Sequence, residues 1–159
     1  MECIFVNQPV NFKKISEHET PELSPGFLLW KTSILWRRTI EDVLQQFGLT
    51  HPQFVILATT GWLTKDKQNV SQKDIGDMAG IDPNTTSQII RGLEKNGLIK
   101  REYAIDERCK YPSLTTKGKS VLTKALPEVE KKDAEFFSVL NLKSSKIVQD
   151  LKVLSLQDM

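Results

Sequence analysis

The sequence predicts a mainly α-helical chain that carries one small antiparallel β-hairpin. Three observations predict it. Two short helices, each opened by a side-chain cap, are joined by a glycine-containing connection of about three residues. Two strand-like runs follow and flank a charged tip. Longer amphipathic stretches stand on either side of this unit. Together they describe a winged helix-turn-helix set in a helical framework.

Residues 1–24 are polar and interrupted by Pro9 and Pro21, with Pro25 directly after them, which predicts an extended arm whose Ile4, Phe5 and Val6 could pack on a partner. From Pro25 to Phe47, Leu28, Leu35, Ile40, Val43, Leu44 and Phe47 recur at mostly helical steps. Trp30, Ile34 and Trp36 widen the apolar surface, so this helix needs cover on more than one side. Gly48 ends it. Thr50-His51-Pro52-Gln53 is a capping box, with Leu49 and Phe54 at the spacing of a hydrophobic staple. The helix it opens runs to about Thr64, with Phe54, Leu57, Ala58 and Trp62 inward.

Ser71-Gln72-Lys73-Asp74 is a second capping box, stapled by Val70 and Ile75. It starts a short helix with Ile75, Met78 and Ala79 inward and Gly80 as its stop. Asp82 caps the next helix, Pro83 takes its first position, and Asn96-Gly97 end it. Gly92 lies inside that helix, where close packing against a neighbour would explain it. Leu98 to Ile105 and Tyr111 to Thr115 read as strands joined by the tip Asp106 to Lys110. Pro112 removes a ladder donor, so the return strand should be short or irregular. A long helix from Thr116 to about Leu140 should bend or break at Pro127. A last helix holds Ile147, Leu151 and Leu154. The organisation predicted is an arm at 1–24, a helical dimerisation region at 25–48 and 117–159, and a winged lobe at 49–116, intertwined as one domain.

A chain of 159 residues with a formal charge of +2 is not broadly basic, so any affinity for nucleic acid must come from local placement of Lys and Arg. From Asp66 to Gly118 there are nine Lys or Arg against eight Asp or Glu, which leaves dimerisation to supply much of the affinity. Cys3 and Cys109 are far apart and lack metal-ligand spacing. They point to a reducing compartment, hence to a cytoplasmic protein. A structural or incidental role is one reading of each; redox sensing by Cys109, flanked by Arg108 and Lys110, is another. The first residues do not form a signal peptide, and no apolar run approaches a membrane span. His18 and His51 have no nucleophile or ligand constellation around them, and no phosphate-binding glycine loop occurs. The chain is therefore expected to be no enzyme and to carry no catalytic residues, metal or cofactor.

The helix from Pro83 to Asn96 has two chemically different sides. Ile89, Ile90 and Leu93, with Thr86 beside them, point one way; Asn84, Thr85, Ser87, Gln88, Arg91 and Lys95 are placed outward. Amides and hydroxyls near the start and cations further along suit the base edges and phosphates of the DNA major groove. Alone, such a face reads first as a solvated one; its place in the ordered set of capped helices and hairpin favours DNA. At the hairpin tip Arg108 and Lys110 are expected at DNA, Arg108 in the minor groove with Asp106 orienting it. An ordinary charged turn is the alternative. Lys100, Arg101, Lys110 and Lys117 suit phosphates. Trp30, Trp36, Phe54 and Trp62 offer a pocket for a small aromatic effector, or plain packing.

The run from Ser71 to Gly118 resembles the core of the MarR family. The matching pieces are Leu93-Glu94-Lys95-Asn96-Gly97-Leu98-Ile99 with Arg101, then Asp106-x-Arg108, then Leu114-Thr115 and Gly118. Upstream, Gly48-Leu49-Thr50-x-x-Gln53-Phe54 matches the start of that family's second helix, and the resemblance spans roughly residues 25–156. It implies a homodimer built from the first and last two helices, a DNA-reading helix at about 83–96, a wing bearing Asp106 and Arg108, and a site for phenolic or other small aromatic effectors. Cys109 departs from it, standing where a second basic residue is frequent. The function expected is a dimeric regulator of transcription that reads a pseudo-palindromic operator in double-stranded DNA, a repressor released by a small ligand. The alternative is a winged-helix module for protein contact or ligand sensing that does not bind DNA.

Overall fold

The computed structural model describes residues 10–66, 69–103, 110–140 and 144–156. The chain divides into two units, residues 1–35 and residues 36–159. The first holds the single-turn helix α1 (Phe12–Ile15), a 3-10 turn at Pro21–Leu23 and the opening part of α2 (Pro25–Gln45). Within residues 10–24 these turns replace the extended chain expected there, while residues 1–9 of the expected arm lie outside the described residues. Each turn is closed by local backbone bonds, Ser16 N–H to the Phe12 carbonyl and Ser24 N–H to the Pro21 carbonyl, which need no periodic apolar pattern.

The second unit continues α2 and adds α3 (His51–Thr64), α4 (Gln72–Ala79), α5 (Pro83–Lys95), β1 (Ile99–Tyr103), β2 (Lys110–Leu114) and α6 (Thr116–Phe137). A 3-10 turn at Ser138–Leu140 and α7 (Ser144–Ser155) complete it. Its core gathers Ile40 and Leu44 of α2, Phe54, Ile56 and Leu57 of α3, Ile75 of α4, Ile90 and Leu93 of α5, the strand residues Ile99 and Leu114, and Ala125 and Val129 of α6. Helix α3 is the hub, since it packs on α4, α5, β2 and α6.

The helix starts read from sequence are built as expected. Thr50 Oγ1 accepts from the Gln53 N–H while Gln53 Oε1 accepts from the Thr50 N–H. Ser71 and Asp74 make the same reciprocal pair. The staple residues Leu49, Phe54, Val70 and Ile75 are all buried.

Two side chains expected inward are not. Trp62 is 58% exposed and Met78 is 53% exposed. In α3 the deepest residues are Ile56, Leu57 and Thr60. Trp62 follows Thr60 by two positions, roughly 200° around the helix, so it faces away from them. In α4 the inner side is Ile75 and Gly76, with Ala79 half-buried, and Met78 falls outside it.

Neither the strand that carries Pro112 nor the helix that carries Pro127 is broken. β1 and β2 pair without interruption from Ile99↔Leu114 to Tyr103↔Lys110, and Pro112 sits opposite Arg101. The Thr115 N–H donates to the Leu98 carbonyl, so counting along the ladder puts Pro112 at a position whose N–H would point away from β1. The missing donor is therefore harmless, and the buried ring adds to the core. Helix α6 runs through Pro127. Ala125 and Val129, buried on either side of it, anchor both halves.

Gly118, in the first turn of α6, lies against the end of the helix-turn-helix. A Cβ there would overlap the Leu98 carbonyl oxygen, which is backbone and cannot step aside. Gly92 is different. A Cβ on it would meet only Gln53 Nε2 at 3.8 Å, so close packing does not explain this glycine. Gly118→Ala should lower unfolding free energy by roughly 3 kcal/mol. Gly92→Ala should raise it by about 1 kcal/mol, because only the helix-propensity difference remains. Urea denaturation of the two variants checks both signs, and a destabilised Gly92→Ala would refute the open environment described for it.

Candidate nucleic-acid interface

The helix-turn-helix is α4, the turn at Gly80 and Ile81, and α5. Gly80 closes α4 with φ of 65°, and the Ile81 N–H reaches back to the Gly76 carbonyl at 3.0 Å. The two helices approach closely because Gly76 carries no side chain; a Cβ there would sit 2.8 Å from Thr86 Oγ1. Asp82 caps α5, accepting from the Asn84 and Thr85 N–H groups at 3.0 Å each. Hydrogen bonds from the Thr85 side chain, then from the Thr85 and Asn84 backbone, hold the Asp82 carboxyl below its ordinary range.

With Thr86, Ile90 and Leu93 buried, the opposite side of α5 is fixed. Asn84, Gln88, Arg91 and Lys95, at steps of four, three and four, form one exposed stripe along the helix, and Thr85 is exposed at its edge. Ser87 is half-buried and lines a groove of about 200 Å³ between α4 and α5, with Gln72, Gly76 and Ile81. The stripe begins with amide groups at the positive end of the helix dipole and continues with two cations, an order suited to base edges and phosphates.

The far end of α5 is braced by side chains that the sequence placed elsewhere. Arg101 Nε lies 3.3 Å from Glu94 Oε2, and the Arg101 side chain is only 14% exposed. It is turned inward to α5 and away from the phosphate role expected for it. Lys117 Nζ donates to the Asn96 carbonyl at 3.0 Å, which satisfies a free acceptor at the helix C-terminus. Thr115 Oγ1 donates to the Gly97 carbonyl at 2.6 Å and accepts from the Gly118 N–H at 2.9 Å, joining the strand end to α6. Lys100 is exposed and has a partner of its own. Lys110 is the first residue of β2. Asp106, Arg108, Cys109 and Cys3 lie outside the described residues.

Residues 38–126 match the family described as transcriptional regulator SarA/Rot. The chain belongs to the SarA/Rot family of transcriptional regulators. The HTH-type transcriptional regulator YdcH of Bacillus subtilis is similar to this SarA/Rot protein, 38% identical over 124 residues that cover 77% of this chain and 84% of the relative. Among solved structures, the S. aureus MepR–DNA complex has a similar fold, with a TM-score of 0.72 at 22% identity, over 86% of this chain and 95% of that one. The MarR family protein Rv2887 of Mycobacterium tuberculosis in complex with salicylic acid has a TM-score of 0.59 at 22% identity, over 83% of this chain and 94% of that one. The fold is thus the winged helix of MarR-type regulators, as the sequence resemblance led one to expect.

The aromatic residues of this SarA/Rot protein occupy different surroundings. Phe54 is part of the core. Trp36 packs against that core, donates from Nε1 to Asp133 Oδ1 at 2.7 Å, and meets the His51 ring edge-on at 5.0 Å. Trp62 stands apart, with Lys65 Nζ 3.2 Å above its ring. Trp30 is 66% exposed. Among the described residues no cluster of His, Cys, Asp or Glu is placed to hold a metal ion, and no helix is long and apolar enough to cross a membrane.

Burial lowers the pKa of His51 from 6.5; the carboxylates of Glu41 and Asp133 oppose that shift and Arg37 adds to it. With the folded value depressed, the unfolded chain takes up the proton first as acid is added. The stability that neutral His51 supports is complete above about pH 6.5 and is lost as pH falls through the lower folded value. Urea midpoints should therefore drop between about pH 7.5 and pH 5.5, and drop less in His51→Asn. Equal losses in both proteins would remove His51 as the cause.

Proposed function

We propose that this regulator is a homodimer that binds double-stranded DNA in a sequence-specific manner, through the helix-turn-helix of each subunit, and represses transcription until a small ligand releases it. The observation that carries the reading is the exposed stripe Asn84, Gln88, Arg91 and Lys95 on the second helix of a tightly turned pair. In the major groove that stripe would present amides to base edges first and cations behind them. Thr85 and Ser87 flank it, and the wing, through Arg108 oriented by Asp106 and through Lys110, would reach the neighbouring minor groove and backbone. The MepR structure is a DNA complex of the same fold, which supports this orientation.

Support for a dimer is the apolar surface left open on a single chain. In the first unit Leu28, Leu29 and Leu35 are 42%, 58% and 48% exposed, and in the second Val148, Leu151 and Leu154 are 47%, 44% and 55% exposed. Surfaces of this kind mark association sites. On this reading residues 25–48 and 117–159 would serve dimerisation and 49–116 would serve DNA binding. Two reading helices about one turn of DNA apart would match a pseudo-palindromic operator. The salicylic acid complex of Rv2887 supports a small aromatic effector; substitution of Trp30, Trp36, Phe54 and Trp62 one at a time would test which of them it meets. Ligand binding that favours another spacing of the lobes would release DNA. A cytoplasmic location accords with this role.

Binding to a duplex selected from a randomised pool, followed by fluorescence anisotropy, tests the proposal. Affinity should fall steeply as salt rises. Gln88→Ala should change base preference at one position of each half-site. Lys95→Ala should weaken all sequences alike and reduce the salt slope by about one. Arg108→Ala should also weaken all sequences. A salt-insensitive or absent interaction with DNA would instead favour a protein-contact module, a reading to which the near-neutral charge of residues 66–118 lends weight.

A further inference from the structure

Trp36, His51 and Asp133 meet where α2, α3 and α6 converge. The Trp36 indole N–H donates to Asp133 Oδ1 at 2.7 Å, which ties α2 to α6. The His51 ring stands edge-on to the Trp36 ring, with centroids 5.0 Å apart and planes at 72°. His51 is the first residue of α3, so a side chain of the third helix rests on the tie between the other two. The charged groups that face its imidazole are Glu41 and Arg37 from α2 and Asp133 from α6. Arg37 Nε lies 3.5 Å from Glu41 Oε1.

The same helical turn meets α5 on its other side. Gln53 follows His51 by two positions, roughly 200° around α3. Its Oε1 accepts from the Thr50 N–H, and its Nε2 lies 3.8 Å from the place that a Cβ on Gly92 of α5 would take. Phe54, the next residue, is buried in the core that also holds Ile90 and Leu93 of α5. The first turn of α3 thus has the Trp36–Asp133 tie on one side and the helix bearing the exposed stripe on the other. A displacement of His51 is carried to α5 by this turn.

A proton on His51 works against the arrangement in two ways. The ring is partly buried, and burial disfavours its charged form; Arg37 adds to that, while Glu41 and Asp133 oppose it. The imidazolium would also compete with Trp36 for the Asp133 carboxylate, because a bond between two charged groups is stronger than one from a neutral indole. An arrangement in which the ring has moved towards water or taken Asp133 for itself holds the proton more firmly. Acid therefore favours that arrangement by linkage.

We propose that Trp36, His51 and Asp133 form a positioning cluster for α5, and that protonation of His51 undoes the cluster and weakens binding to DNA, a regulation that rests on the DNA-binding reading above. The sign is opposite to that of simple electrostatics. Acid adds positive charge, which by itself strengthens attraction to phosphates.

The full-length protein and its His51→Asn and His51→Gln variants are compared at about pH 7.5 and about pH 5.5, at constant ionic strength. The temperature is one at which circular dichroism shows each of them folded at both values. Anisotropy with the selected duplex should show the unsubstituted protein weakened by about fivefold or more on acidification. Both variants should bind equally well or more tightly in acid; the second stands in if the first does not fold. The Trp36 indole N–H resonance, identified by its loss in Trp36→Phe, should move between the two pH values in the unsubstituted protein and stay in place in His51→Asn. Equal acid weakening in the variants overturns the proposal, and so does an unmoved Trp36 resonance. If helix content falls together with affinity, the effect is global unfolding and the proposal fails. Binding of the duplex with a flat pH profile overturns this proposal alone, whereas no binding at either pH overturns the DNA-binding reading as well.

Discussion

One-sided burial of α5 is the constraint on which the rest of the molecule depends. Thr86, Ile90 and Leu93 are sealed against α3 and α4, and a helix held along one side has no freedom to rotate. The outward direction of Asn84, Gln88, Arg91 and Lys95 follows from that seal without any interaction among the four. A stripe of flexible polar side chains becomes a reading surface only when its backbone is this firmly placed.

The two ends of α5 are secured by different means. At its start, the Asp82 carboxylate satisfies two free N–H groups of the first turn. At its end, Glu94 meets Arg101 of β1 and the Asn96 carbonyl meets Lys117 of α6. The hairpin therefore grows from a base that is tied to the helix as well as to α6, where Thr115 and Gly118 close on the chain at Gly97 and Leu98. Any displacement of α6 would reach α5 and the strands through these contacts.

Charge is placed locally here. The lobe carries nearly equal numbers of cations and anions, and three of its acidic residues have structural occupations: Asp74 and Asp82 cap helices, and Glu94 is paired. Arg91 and Lys95 of α5 face outward. A chain of small net charge can thus hold a local cationic surface.

The sequence alone determined the helix starts, the glycine stops and the order of elements, because these depend on contacts within four or five residues. The capping boxes at Thr50 and Ser71, the Asp82 cap and the inward side of α5 were all legible for that reason, and so was the outward stripe. What tertiary structure decided depends on neighbours remote in the chain. Trp62 and Met78 turned outward because other residues of their helices claimed the core. Pro112 was harmless because its ladder position faces away from β1, and Pro127 was tolerated because α6 is anchored on both sides of it. Arg101 and Lys117 had the composition of phosphate contacts, but the position of α5 drew them to Glu94 and Asn96. A cleft between α3, the strands and α6 brings together Gly61, Thr64, Ser113, Leu114 and Leu122, a juxtaposition that no local pattern encodes.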